Sequence, residues 1–276
     1  MRSDQPPTFV VRFGRLILLI FFHLSQQCHA TDLTACEQLT LAFYEDGALY
    51  YRNTQGNYVG IDKDVVEEIQ RRSGCHFKTS IDSRVRIWSR LQQHSLDFSV
   101  SGIATPERNK FARFIPYFST HNFAILRNTL PLESQTLEGF YADTSLRVAV
   151  VRGFQHGATF DAWLTRLRRQ GRIQEVGDFE TVIRLFLAHR IDAMLALPTG
   201  MLPLNTKELS RQIVIKDWAP DESVNFSFIM SKANVSADIG DLIEKTINDM
   251  RKDGTVDKIF REHLGPDLLG YVRTKD

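Results

Sequence analysis

The run Leu96-Asp97-Phe98-Ser99-Val100-Ser101-Gly102-Ile103-Ala104-Thr105-Pro106-Glu107-Arg108, followed by Phe114-Ile115-Pro116-Tyr117, concentrates residue types suited to gripping a small anion. Ser101 and Thr105 carry hydroxyl donors, Gly102 lets a ligand approach the backbone, and the Arg108 guanidinium is a planar fork that matches a carboxylate. The chemistry this suggests is binding rather than catalysis. The chain shows no metal-spaced His/Cys cluster and no phosphate-cradling glycine loop, and its eight histidines are scattered.

Strands alternating with helices must position these residues, which argues for α/β layers with largely parallel sheets. Leu39–Tyr44 reads as a first strand, followed by a loop containing Gly47. Tyr58-Val59-Gly60-Ile61-Asp62 then opens a helix whose Val65, Val66 and Ile69 share one face and which Gly74 stops. Asp62 and Asp64 are expected to satisfy amides at that helix N-terminus. Phe77–Ile81 is a second strand. Arg86–His94 is a helix with Ile87, Trp88 and Leu91 inward, and it delivers the chain to the Leu96–Val100 strand. Trp88 is expected in the core, and Arg86 is expected to face solvent.

The plan repeats from about Ser145. Leu146–Val151 is a β-rich run, Ala162–Arg169 and Phe179–His189 read as helices, and Ile191–Ala196 reads as a buried strand. Trp88–Asp97 echoes Ile183–Asp192, with His94 over His189 and Asp97 over Asp192. Asp192 is expected to brace the end of its strand. Asn225–Met230 then reads as a strand, and Ile239–Asp253 and Val256–His263 as helices, too few for a third domain. They are expected to return to the first lobe. Residues 31–127 and 222–276 would form lobe 1 and residues 128–221 lobe 2, with chain crossings near 126–140 and 216–224 as a hinge.

Residues 1–30 read as an export signal. Arg12 and Arg15 precede the apolar run Leu16–Phe22, and Cys28-His29-Ala30 offers small residues for cleavage before Thr31. The run is too short to span a bilayer. Lipidation at Cys28 is the alternative, against which Gln27 speaks. The mature protein is therefore expected in the periplasm, where thiols pair. Cys36 and Cys75 each precede one of the first two strands. If those strands are parallel neighbours, a Cys36–Cys75 disulfide follows.

Composition narrows the partners. With 34 basic and 33 acidic residues, the chain has no strong field for nucleic acid or acidic membranes. The cluster Arg166, Arg168, Arg169 and Arg172 reads as the solvated face of a helix.

Five motifs in order resemble the periplasmic solute-binding proteins of polar amino acid uptake systems, solute-binding protein family 3. They are Gly60-Ile61-Asp62-Lys63-Asp64-Val65-Val66; Thr105-Pro106-Glu107-Arg108 with Phe114 and Pro116-Tyr117; Val148–Gly153 with Gly157-Ala158-Thr159; Arg190-Ile191-Asp192-Ala193; and Asp253-Gly254-Thr255 with Leu264-Gly265. The resemblance implies a two-lobed type II periplasmic binding protein fold that closes on a small carboxylate-bearing ligand, and delivery of that ligand to the permease of an ABC transporter. It further implies a monomer with no cofactor and no chemistry on the ligand. By it, Arg108 binds the ligand carboxylate, Ser101, Gly102 and Thr105 line the same side, and Ala158 and Thr159 contribute backbone donors from lobe 2.

Where amino acid binders of that family carry an aspartate for the ligand ammonium, a few residues past Arg-Ile-Asp-Ala, this chain has Met194-Leu195-Ala196-Leu197-Pro198-Thr199. A buried ammonium without an anion is costly. Either Glu45, Asp46 or Glu222 replaces it, or the ligand is not a standard α-amino acid. Tyr44, Tyr50 and Tyr51 follow the first strand, where a ring could stack on the ligand. Two other functions stay open. One is a cyclohexadienyl or arogenate dehydratase-like enzyme, for which Glu45, Glu222 and His156 are the candidate acids; the other is a sensory module that docks a receptor.

Overall fold

The computed structural model describes Met1, Cys36 and residues 39–201 and 207–274. The expected export segment and Cys28 lie outside the described residues. The chain runs β1 (Leu39–Phe43), β2 (Tyr51–Arg52), β3 (Tyr58–Val59), α1 (Ile61–Ser73), β4 (Phe77–Ile81), α2 (Arg84–Gln92), β5 (Phe98–Gly102), β6 (Ala112–Thr120) and β7 (Phe123–Arg127). It continues through α3 (Leu137–Ala142), β8 (Val148–Val151), α4 (Ala158–Arg169), β9 (Ile173–Val176), α5 (Phe179–Leu187), β10 (Ala193–Ala196), α6 (Lys207–Ser210) and β11 (Ile213–Lys216). The last elements are β12 (Val224–Ser231), α7 (Ala237–Lys252), α8 (Thr255–His263) and α9 (Pro266–Leu269).

Two five-stranded sheets result, in the orders β4-β1-β5-β12-β6 and β11-β7-β10-β8-β9, with β2-β3 as a separate ribbon. In each, three neighbouring strands are parallel and the rest antiparallel. Helices flank both sheets, so the molecule has the two-lobed build that the element order implies. The first crossing lies earlier than expected. β7 pairs with β10 and β11, so the chain leaves the first sheet at Thr120 and joins the second at Phe123. It returns between Lys216 and Val224. Beside the crossings, Ser119 and Arg273 form a bridge and the Thr120 hydroxyl donates to Tyr271 O at 2.7 Å, so the C-terminal segment lies along the hinge.

Local chemistry accounts for the elements. α1 buries Ile61, Val65, Val66 and Ile69 and ends at Gly74, whose left-handed conformation sends its N–H to Gln70 O. Ser236 and Asp178 cap α7 and α5 through the amides of Ile239 and Thr181. The two lobes repeat one device. Asp97 Oδ2 accepts from Thr40 N at 2.8 Å and Asp192 Oδ2 from Arg147 N at 2.8 Å, each carboxylate bracing the start of a neighbouring strand. His94 and His189 both take the left-handed conformation, with φ of 57° and 56°. The sequence echo is therefore a structural repeat.

Cys36 and Cys75 form a disulfide at the start of β1 and β4, which are parallel neighbours in the register Leu39 to Phe77. Arg172 departs from the solvated reading. It is buried and donates to the carbonyls of Leu146, Tyr141 and Phe140 at 2.7–2.8 Å. It follows the end of α4, and the turn brings it against the last residues of α3 and the segment before β8, whose carbonyls would otherwise be orphaned. Arg166 and Arg168 pair on the surface with Glu138 and Glu175.

Candidate functional site

The facing edges of the two lobes bring together the loop after β1, the start of α2 and the turn after β5 on one side. The other side supplies the turn after β8, the start of α5 and the Pro198–Gly200 turn. Arg108 sits in the turn after β5, held by its own N–H to Thr105 Oγ1 at 3.2 Å. Its Nη1 donates to Ile103 O and its Nη2 to Gly153 O, both at 2.9 Å. Ile103 belongs to the first lobe and Gly153 to the second, so one guanidinium spans the crevice. Beneath it lies Trp88, 3.8 Å from the guanidinium carbon to the ring centroid. Trp88 is half-buried: it packs against the core of the first lobe, as expected, and its ring also supports Arg108. Burial and the neighbouring Arg84 charge lower the Arg108 pKa to about 10, which leaves it charged at neutral pH.

A second guanidinium lies deeper. α2 starts two residues earlier than the sequence reading has it, and its first residue is Arg84, 7% exposed. Arg84 lies over the Tyr44 ring at 3.5 Å and the Phe154 ring at 4.4 Å, rings from opposite lobes. Its Nη2 donates to Asp46 Oδ2 at 3.2 Å. Burial raises the Asp46 pKa and Arg84 opposes that rise. Sequence reasoning missed Arg84, yet a signal was present. Arg84 shares the i, i+3, i+7 spacing of Ile87 and Leu91, which points it inward.

Ser101 faces the interior of the first lobe. Its backbone has a φ of 47°, rare for a residue with a side chain, and is held there in part by its N–H, which donates to Tyr117 OH at 3.1 Å. Its hydroxyl bonds Asp62 Oδ1 at 2.8 Å and Tyr117 OH at 2.6 Å, and its carbonyl accepts from Tyr44 OH at 3.1 Å. Tyr117 OH also donates to Asp62 Oδ1. Asp62 is fully buried rather than turned to the α1 amides, its Oδ2 has no hydrogen-bond partner among the described residues, and burial lifts its pKa to about 7. Gly102 is closed by packing, since a Cβ there would lie 2.3 Å from Ile229 Cδ1.

The N-terminus of α4 is occupied from within the chain. Thr159 N donates to Glu222 Oε1 at 3.1 Å, and a Cβ on Gly157, whose φ is 98°, would meet that carboxylate at 2.5 Å. Glu222 Oε2 is buried and unpaired among the described residues. An anion at a helix N-terminus is the expected arrangement; here the protein supplies it. Ala158 and Thr159 are exposed. The adjacent His156 is buried, which lowers its pKa and keeps it neutral, with Nδ1 3.5 Å from Asp161.

Leu197, at the position lacking the acid, packs into the core of the first lobe. Of the three carboxylates considered for the ammonium, Asp46 faces this place: it lines a cavity of 20 Å3 together with Leu197, His156 and Asn122. That volume holds about one water molecule. Two larger cavities open at the mouth of the crevice. One of 530 Å3 is lined by Tyr44, Glu45, Asp46, Arg84, Arg86 and Phe154 among others. The other, of 440 Å3, is lined by Glu45, Tyr50, Tyr51, Asp178 and Phe179 among others. Glu45 is exposed, whereas Tyr50 is buried in a stack between Phe43 and Tyr58. Arg108 is not among the residues lining either mouth cavity. Among the described residues no group of His, Cys, Asp and Glu could hold a metal ion, and no helix is long and apolar enough to cross a membrane.

The fold matches solved structures at low sequence identity. A variant of ArgBP from T. maritima aligns with a TM-score of 0.67 at 20% identity, covering 82% of this chain and 94% of that one. An ancestral amino acid-binding protein described as a precursor of cyclohexadienyl dehydratase aligns with 0.67 at 18%, covering 83% and 95%. A histidine kinase sensor domain similar to periplasmic binding proteins aligns with 0.69 at 15%, covering 83% and 96%. No curated protein matches the sequence. Residues 40–266 match the family described as bacterial extracellular solute-binding proteins, family 3, and the chain belongs to that family.

Proposed function

We propose that the protein binds a small carboxylate-bearing solute, an amino acid or a related compound, between its lobes in the periplasm and delivers it as a monomer to an ABC-type permease. The observation that supports this reading is the Arg108 guanidinium, which donates to one carbonyl of each lobe. A guanidinium has five N–H donors, so these contacts leave further N–H groups for a carboxylate. The lobes move about residues 121–122 and 217–223, and a solute touching both favours the closed form by its differential affinity. Family membership and the amino acid-binding structures that share the fold support the solute class.

A thermal-shift screen of amino acids, small carboxylates and opines tests this reading. A concentration-dependent rise in Tm that Arg108→Ala weakens is expected. A screen in which no solute moves the wild-type Tm overturns it. Turnover of prephenate or arogenate by the pure protein would replace it with the dehydratase reading, for which Glu45, Glu222 and His156 are the candidate acids.

A further inference from the structure

We propose that Arg84 is a built-in cation that fills the aromatic cage of this cleft, so that the cleft takes solutes with a neutral or anionic side chain and refuses cationic ones. The inference rests on the reading of this cleft as the solute site and names the class of solute it admits. Tyr44 from the first lobe, Phe154 from the second and the Asp46 carboxylate are the parts that recognise an organic cation: two ring faces and an anion in a place shielded from water. All three are engaged by one guanidinium of the chain itself, at 3.5 and 4.4 Å from the ring centroids and 3.2 Å from the carboxylate. The side chain is 7% exposed, so the cage is full when the lobes are together.

An incoming guanidinium or ammonium would have to displace Arg84 or share its anion. Neither is favourable, because Asp46, the carboxylate that lines the inner cavity, already holds Arg84, and the position past β10 that could have supplied another there is Leu197, while Glu45, Asp82 and Asp178 line the outer cavity. Because Phe154 reaches the same guanidinium from the second lobe, Arg84 also fixes the closed geometry.

The test is a gain of binding. Arg84→Ala, and Arg84→Met as a variant that keeps an apolar stem beside Tyr44, are screened by thermal shift and calorimetry with agmatine, arginine and methylguanidinium. Both variants should acquire a saturable Tm rise that wild type lacks, and adding Asp46→Asn should abolish it. Wild-type protein that responds to these cations as strongly as the variants overturns the proposal, as do folded variants that respond to none. Variants that fold only with agmatine present support it. Variants that fold under no condition overturn it, since Arg84 is then a structural ion pair and no replaceable cation.

Agmatine carries no carboxylate, so the two readings separate. If the variants bind agmatine while no carboxylate solute moves wild type, the cage stands and the carboxylate-solute reading falls. If wild type binds a carboxylate and the variants gain no cation, the cage alone falls.

Discussion

Gly47 presses its backbone against the carbonyl of Thr199 in the opposite lobe. Ala48 N–H donates to that oxygen at 2.7 Å, and a Cβ on Gly47 would stand 2.4 Å from it. Gly47 also has a φ of 50°, a conformation that costs other residues about 1–2 kcal/mol. Gly47→Ala should therefore disfavour closure more than folding. Small-angle scattering should show a larger radius of gyration for the variant, and solute affinity should fall roughly tenfold, the equivalent of about 1.4 kcal/mol. An unchanged radius and affinity would mean that this contact does not govern closure.

Arg108 makes a graded prediction. A charge-assisted hydrogen bond is worth about 1.5–3 kcal/mol, so Arg108→Ala should weaken carboxylate binding by roughly ten- to a hundredfold or more. Lysine keeps the charge but lacks the planar fork that reaches Ile103 O and Gly153 O together, so Arg108→Lys should recover only part of the loss. Titration calorimetry with the solute found by screening measures both. Equal affinity in wild type and Arg108→Ala would remove this residue from the site.

Asp62 should give the protein a recognisable pH dependence. Its carboxyl titrates near 4 in the unfolded chain and about 7 in the folded one, where burial favours the neutral acid. Between these values the folded state holds a proton that the unfolded state has released. The stability contributed by Asp62 is thus fully present below pH 4 and is lost as pH rises through 7. Asp62→Asn should flatten the wild-type decline between pH 5 and pH 8. Urea midpoints at both pH values for the two proteins decide it, and parallel profiles would contradict the assignment.

Arg172 is expected to be a stability residue with no part in binding. Truncating it strands the carbonyls of Phe140, Tyr141 and Leu146 in a buried place. Arg172→Ala should cost about 3 kcal/mol or more. Chemical denaturation should register that loss, while solute affinity of the folded fraction stays at the wild-type value.

The Cys36–Cys75 bridge closes a segment with a sequence separation of 39 residues. In the chain-entropy account this stabilises by about 4 kcal/mol. The Cys36→Ser/Cys75→Ser double variant should lose up to that amount in urea unfolding. Two reactive thiols in denatured, unreduced wild-type protein would show that the bridge does not form.

Local patterning made the scaffold readable from the chain alone. Helical periodicity placed Val65, Val66 and Ile69 inward, glycine stopped α1, and the Trp88–Asp97 and Ile183–Asp192 echo marked the repeat now seen in paired His and Asp geometry. The position of each cysteine just before a strand was legible locally, whereas the pairing of β1 with β4 that brings Cys36 to Cys75 belongs to the tertiary structure. The strands β6 and β7 were missed, and with them the first crossing, because their antiparallel partners are far away in sequence. Three assignments depended on tertiary structure. Ser101 points to Asp62 rather than to the crevice, Glu222 occupies the start of α4, and Arg84 reaches Phe154 across the lobes. Sequence fixes which face of an element is apolar, because that depends on spacing along one segment. Which charged group neutralises which depends on distances between segments, and only the closed three-dimensional arrangement determines those.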